Sequence, residues 1–413
     1  MIAQIAPERA DYYQIDEAAM RRDLKLFHVY RFLSTSYLFI PALVMFFQLR
    51  GLGFTQIALL NSVYALTAII FEVPTGALAD RFGRRRAMVL GSLLMGAGCL
   101  VDFQGQGFWT FAVGESLLAL GMTLTSGADS AYLYDLLRSA RCEHQYRRHE
   151  GSATAAKLSG AAIALALGGL MARRWIAGTY VATAMICLLA AVVAFFLREW
   201  PYVSRDRSGF WPSMGHAARA TVTHAPLRFA IGFSVLIFLL LRMGLYLYPA
   251  YLATAHLDLG WIGLSLAGLS LLGALSAYRI ESVRNFFGER RLVWLLPIVI
   301  AASYFGLGQF VAIGGIALLA LQAICNGLYS PFSKELLNRE IADSGHRATM
   351  LSVESMTRRL AFGAFAPLAG VLIDKRSLSA GLYACAVVGA LGAVALVWSM
   401  RKGAGLTRLT FAK

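Results

Sequence analysis

Between Gly76 and Val89 the chain reads GALADRFGRRRAMV, and five of the seven residues from Asp80 to Arg86 are charged. The flanks are different. From Gly51 to Ala79 and from Ala87 to Val101 the only acidic or basic residue is Glu72. A hydrocarbon core about 30 Å thick is crossed by roughly 20 apolar residues in a helix rising 1.5 Å per residue. Each flank is long enough to do this, so the charged patch reads as a short hinge between two membrane spans.

Outward from the hinge the same criterion gives 12 spans: 26–49, 54–79, 87–104, 108–136, 151–172, 177–197, 228–253, 259–279, 292–311, 313–337, 349–373 and 378–400. They are continuously apolar rather than alternating, which predicts helices and excludes a barrel. The composition agrees: 58% of the 413 residues are hydrophobic and 15% charged, against about a quarter charged in soluble domains. The predicted fold class is an all-α integral membrane protein with 12 transmembrane helices.

A net charge of +15 would suit a nucleic-acid binder if it were spread over one surface. With the N-terminus placed in the cytoplasm, however, the inner loops, both tails and the span ends beside them hold 28 of the 38 Lys and Arg, the outer loops 5 and the span interiors 5. That is the positive-inside bias. It predicts cytoplasmic termini, a plasma-membrane location (the cytoplasmic membrane of a bacterium), anionic lipid as the neighbour of the basic loops and no nucleic-acid partner. The first 25 residues are polar and of mixed charge, so no cleavable signal is expected and the first span itself directs insertion. Cys99, Cys142, Cys187, Cys325 and Cys385 are odd in number, and four lie in spans, which suits packing rather than a disulfide framework or a metal site. The seven histidines show no metal-ligand spacing. No phosphate-binding G-x-x-x-x-G-K-[ST] motif occurs, so ATP hydrolysis by this chain is not expected to drive any transport. Neither an enzymatic activity nor a cofactor is expected.

The longest hydrophilic interruption, Arg198 to Arg228, follows the sixth span and divides the spans six and six. GADSAYLYDLL from Gly127 and GLYSPFSKELL from Gly327 match at an offset of 200 in Gly127/Gly327, Ser130/Ser330, Asp135/Glu335, Leu136/Leu336 and Leu137/Leu337. Repeated halves with a solute held between them are a transporter architecture. The expected organisation is a cytoplasmic tail (1–25), a first six-helix bundle (26–197), a cytoplasmic linker (198–227), a second bundle (228–400) and a cytoplasmic tail (401–413).

At this point a family resemblance becomes specific. GALADRFGRRRAM resembles the signature of the loop between helices 2 and 3 of the major facilitator superfamily, with Gly76, Leu78, Asp80, Arg81, Gly83, Arg84 and Arg85 at the patterned positions. FFGERR, Phe286 to Arg291, resembles a degraded second copy. The resemblance covers nearly the whole chain and implies two pseudo-symmetric bundles, a monomer, and a gating loop that latches the bundles on the cytoplasmic side in the outward-open state. Glycine at 76 and 83 would permit close approach and a tight turn, and Asp80 would accept from helix N-terminal amides. The arginines alone could instead serve topology. Gly151, Gly160, Gly168 and Gly169 fit the spacing of the antiporter signature in the fifth helix, but its Gly-Pro pair is Ala164 and Leu165 here. Small residues at these positions also simply let helices pack closely.

Ionisable side chains inside a membrane are costly and tend to face cavities or partners. Counted from the cytoplasmic end, Arg31, Glu72, Asp129 and Lys157 fall at similar depth, roughly 10 Å in, forming a neutral cluster that could be a gate, a proton site or a static ion-pair network. In the fourth span Glu115, Thr125, Ser126 and Asp129 fall near one face if the helix is continuous, since Glu115 and Asp129 are then about 40° apart. The second span aligns Asn61, Tyr64 and Glu72 in the same way. Arg242 is the deepest cation. Either an acid from another helix neutralises it or it attracts an anionic group of a substrate. Glu354, Arg358 and Arg359 begin the eleventh span. Tyr37, Tyr64, Tyr132, Tyr134, Tyr246, Tyr248 and Tyr329 lie on helices that line the cavity in the resembled family, where they either face it or pack.

The leading expectation is a secondary transporter working by alternating access, exporting small amphipathic or drug-like compounds as a drug:proton antiporter driven by the proton gradient. An acid that loses its cation during rocking can become a proton carrier, and Asp129, with Arg31 or Lys157 as partner and Glu115 as the outer acid, is the leading candidate. An uptake carrier or facilitator for an organic anion, held by Arg242 and Lys157, is the alternative. A transport-inactive receptor or scaffold with the same fold is the remote one. The partners expected are a small-molecule substrate and the lipid bilayer.

Overall fold

The computed structural model describes residues 17–200, 224–340 and 347–402. The remainder of the predicted tails and linker lies outside the described residues. Among the described residues the secondary structure is helical throughout, and 11 helices are long and apolar enough to cross a membrane.

The first predicted span, 26–49, is not one helix. It forms α1 (Glu17–Leu33), a 3-10 turn at Ile40–Ala42 and α2 (Leu43–Leu49). Pro41 sits in the 3-10 turn, and a proline both lacks an N–H and disfavours a helical residue before it. Backbone freed inside a membrane must find partners in the protein, and two hydrogen bonds to neighbouring helices mark the unwound stretch. The Leu38 N–H donates to Thr183 Oγ1 at 3.0 Å, and Thr35 Oγ1 donates to the Lys157 carbonyl at 3.1 Å.

The hinge follows its sequence closely. α3 (Phe54–Phe82) and α4 (Arg84–Gln104) are joined by Gly83 alone, at φ 103° and ψ 149°, a conformation that only glycine adopts readily. Gly76 is helical and takes no part in the turn. The fourth predicted span breaks: α5 (Phe108–Thr125) and α6 (Ala128–Ser139) meet at Gly127, φ 85°, so the continuous polar stripe expected from Glu115 to Asp129 does not form. α7 (Tyr146–Ala172) and α8 (Gly178–Phe195) complete the first bundle.

The second bundle contains α9 (Ala225–Thr254), α10 (Leu259–Tyr278), α11 (Ile280–Phe287), α12 (Glu289–Gln309), α13 (Ile316–Glu340), α14 (Arg347–Lys375) and α15 (Leu378–Lys402). Gly288 joins α11 to α12 at φ 78° and ψ 146°, nearly the backbone of Gly83. The degraded motif FFGERR therefore keeps the turn of the first copy.

The bundles meet mainly where α3 packs on α14 and α7 on α10. At one end of these pairs, here termed the Asp374 face, polar contacts cross between bundles. Arg173 pairs with Asp258 at 2.7 Å, and further in along α3 and α14 Ser62 Oγ donates to the Gly363 carbonyl at 2.7 Å. Gly169 and Gly263 bring α7 and α10 so close that a Cβ on Gly169 would lie 2.6 Å from the Gly263 Cα. The opposite end, the Gly83 face, carries the two hinge glycines.

Candidate functional site

The unwound stretch and α2 place Tyr37, Phe39 and Leu43 against a cavity between the bundles. Its remaining wall includes Asn61 and Tyr64 of α3, Glu115 and Met122 of α5, Arg242 and Tyr246 of α9, and Arg358, Arg359 and Phe362 of α14, enclosing about 330 Å³. A second compartment of about 310 Å³ shares Ile40, Phe238, Arg242 and Leu245 with the first and continues to Tyr248, Ser270, Gln322, Asn326 and Tyr329. Each compartment is at the small end of the range for ligand pockets.

Polar side chains around this space are tied together in the second bundle. Glu354 pairs with Arg358 at 2.9 Å and accepts from Ser234 Oγ. Arg358 donates to the Tyr329 hydroxyl at 3.1 Å and lies over the Phe238 ring, 4.9 Å from its centroid. Tyr248 donates to Gln322, which donates to Ser303 Oγ at 2.7 Å. Arg242 differs: among the described residues no carboxylate lies within ion-pair distance of it and it makes no hydrogen bond. The acid that shares the cavity wall with it is Glu115 of α5, which lies beyond ion-pair distance.

A second cluster lies toward the Gly83 face. Arg31 is buried, 5% exposed; it pairs with Asp129 and lies 3.3 Å from Glu150. Ser130 donates through its hydroxyl to Glu150 at 3.1 Å and through its backbone N–H to Asp129 at 2.7 Å. Glu150 was not among the residues expected here. It stands seven residues before Lys157 on α7, two turns and hence one face, and that spacing was its signal. Lys157 is half-buried and reaches no carboxylate within ion-pair distance among the described residues. It lines neither compartment. Glu72 is also half-buried, with Oε2 buried and lacking a hydrogen-bond partner among the described residues, and it too lies outside both compartments. Thr125 and Ser126 fall at the α5–α6 break.

The gating-loop residues distribute as follows. Arg84 lies 2.5 Å from Asp80 and 3.8 Å from Asp135, and Arg85 lies 3.7 Å from Glu199. The first turn of α4 is capped in part by Glu199, which accepts from the Arg85 N–H at 3.2 Å. Arg81 lies over the Phe82 ring and Leu78 is exposed. In the second copy Arg339 pairs with Glu289 at 2.6 Å and Arg284 with Glu335 at 3.0 Å. None of these pairs joins the first bundle to the second: Arg85 reaches Glu199 just beyond α8, and the other pairs each lie within one bundle.

Of the fifth-span glycines, Gly160 abuts the Phe32 carbonyl, Gly168 the Leu38 carbonyl and Gly169 the α10 backbone, whereas Gly151 has open space around it. Close packing against the end of α1 and the unwound stretch accounts for the first two. Five of the seven tyrosines line the compartments. Tyr132 instead stacks on Phe27 and accepts from Trp200 Nε1 at 3.1 Å, and Tyr134 is exposed beside Tyr146.

These features define an all-helical, multi-pass membrane protein with a polar cavity between two bundles. The sequence pattern of the Major Facilitator Superfamily matches residues 32–280, more than half of the chain, and the chain belongs to that superfamily. It is 32% identical over 82 residues to an "Uncharacterized transporter" of Buchnera aphidicola subsp. Schizaphis graminum, 20% of each chain. It is 29% identical over 103 residues to the "Inner membrane transport protein YajR" of Escherichia coli, 25% of this chain and 22% of that one. The chain thus matches about a fifth of the length of these curated relatives. The fold superposes on the nucleoside transporter NupG (D323A mutant) with TM-score 0.80 and 13% identity, covering 92% of this chain and 99% of that one.

Proposed function

We propose that this protein is a secondary active transporter that moves a small amphipathic solute by alternating access, coupled to proton movement. One observation carries the reading: a cavity with both apolar and ionisable walls lies between two bundles that are bonded to each other at the Asp374 face. In this reading the Asp374 face is the outer side, the Gly83 face is cytoplasmic, and the structure is the inward-open member of the cycle. The broken segment from Glu17 to Leu49 supplies the twelfth crossing, which leaves both termini in the cytoplasm of a bacterial cell as the distribution of Lys and Arg requires. The protein acts as a monomer.

Asp129 is the coupling acid of this scheme, although it acts beside the cavity and not in its wall. Its ion pair with Arg31 ties α6 to α1. A proton on Asp129 removes the attraction, frees Arg31 to Glu150 and loosens one end of the first bundle. On the opposite stroke the Asp80 loop latches the bundles on the cytoplasmic side. Export on the drug:proton antiport pattern is the preferred direction, resting on the resemblance of the α7 glycines to the antiporter signature, whose Gly-Pro pair is Ala164 and Leu165 here.

Proteoliposomes of known orientation test the proposal. Uptake of small amphipathic solutes and movement of protons are followed together under an imposed pH gradient. Solute flux that collapses with the gradient supports coupled transport, flux indifferent to it removes the coupling, and absence of flux for the whole panel removes the transport reading.

A further inference from the structure

The wall of the 330 Å³ compartment contains three arginines and one free-standing acid. Arg358 is matched by Glu354. Arg242, Arg359 and Glu115 have no hydrogen bond or ion pair among the described residues. In the wall itself Arg242 and Arg359 face a single carboxylate, Glu115, at a depth where an unmatched charge is expensive. Tyr64 lines the same compartment as all three. The surrounding wall is apolar and aromatic: Phe39, Leu43, Leu118, Phe238 and Phe362.

We propose that this compartment binds a small organic monoanion, its oxyanion head held by Arg242 and Arg359 and its apolar body against Phe39, Phe238 and Phe362. The assignment rests on the transport reading for the place of the site and narrows its substrate class. A guanidinium presents parallel donors that match a carboxylate, and such charge-assisted bonds are the strong ones. Two arginines from α9 and α14 converging on one head group supply that match from two helices of the second bundle. A cationic amphipath would place a second unmatched positive charge beside both arginines, with Glu115 alone to receive it. Lys157, the other cation considered for such a role, does not reach the compartment. Glu115, across the cavity on α5, competes with the ligand for the same arginines.

The test uses full-length protein in detergent and in proteoliposomes with three probes sharing one apolar body: 1-naphthaleneacetate, its uncharged amide 1-naphthaleneacetamide, and the cation 1-naphthylmethylamine. Binding is read by quenching of intrinsic tryptophan fluorescence and by thermal stabilisation. The carboxylate is expected to bind about tenfold or more tighter than the amide, the scale of one charge-assisted hydrogen bond, and the amine more weakly still. Arg242→Gln and Arg359→Gln should each abolish the preference for the carboxylate over the amide, with Arg→Lys restoring part of it. Glu115→Gln, which removes the competing acid, should tighten carboxylate binding several-fold and so reports on the site even if an arginine variant fails to fold. Equal or tighter binding of the amine, no binding of the carboxylate at millimolar concentration, or an unchanged carboxylate preference in both arginine variants overturns the assignment. Carboxylate binding without flux in the vesicles leaves the anion site standing and removes the transport reading; flux restricted to the amine does the reverse.

Discussion

Asp374, at the last turn of α14, caps a helix that belongs to the other bundle. Its carboxylate accepts from the backbone N–H groups of Phe54 and Thr55, each at 2.8 Å, and from Thr55 Oγ1 at 2.6 Å. The first turn of α3 thus has its unsatisfied donors met only while the bundles are together at that face. Capping of this kind couples the local order of a helix end to the global state of the molecule.

Replacing the acid should therefore shift that equilibrium. Asp374→Ala removes a cap worth about 1 kcal/mol, so the closed population should fall by about fivefold relative to the open one. Accessibility of a single cysteine at Ala250, which is buried and lines a pocket with Asp374, to an impermeant reagent reads the shift in a background lacking the native cysteines. Unchanged labelling in the Ala variant would mean that the cap follows closure without contributing to it.

A steric version of the same experiment uses the α7–α10 crossing. A side chain on Gly169 meets backbone atoms of Leu259 and Gly263, each 2.6 Å from the new Cβ, and backbone cannot swing aside as a flexible side chain can. Gly169→Val should hold the Asp374 face apart, raising outer accessibility and stopping transport while leaving expression and helix content intact. If transport persists at the native rate, closure does not need this contact.

For coupling, Asp129→Asn mimics the protonated acid and cancels its attraction for Arg31. The expected outcome is failure of pH-driven accumulation with survival of downhill exchange. A variant that still builds a gradient sets Asp129 aside as the coupling acid and moves attention to Glu115 or Glu72.

Asp80→Asn tests the hinge. It weakens the 2.5 Å contact with Arg84 and should lower transport without preventing insertion, measured as flux per molecule at matched expression. Native flux would show that the loop serves topology and the α3–α4 turn, with no latching role.

The architecture was legible because its signals are one-dimensional. Span length, charge-free runs and the placement of Lys and Arg are all visible along the chain, and the hinge at Gly83 lies at the residue that the motif marks. The first span failed for a physical reason. Hydropathy records that residues 26–49 are apolar enough, but the break at Ser34 to Phe39 is stabilised by partners such as Thr183 that lie far away in sequence. Gly127 misled differently. A glycine inside an apolar run is compatible with a continuous helix, and only its positive φ shows that Glu115 and Asp129 belong to separate helices. In the site, Arg242 was visible as a deep cation, whereas its lack of a partner could not be read from spacing. Gln322 and Asn326, four residues apart in an apolar helix, were an amphipathic signal passed over.

The break in the first segment also bears on biogenesis. Within the apolar part of α1 the charge is Arg31, and a charge of this kind opposes partitioning into lipid by about 2.5–3.5 kcal/mol at mid-helix. The residue that receives the Leu38 N–H is made 145 residues later, which at about 5–20 residues per second is roughly seven to thirty seconds of synthesis. During that interval the nascent N-terminal segment has neither Thr183 nor the α7 groove that Gly160 and Gly168 provide. Its hydrogen bond to Thr183 can form only after α8 has been made. The unwound stretch from Ser34 to Phe39 is therefore among the last parts of the first bundle to be completed.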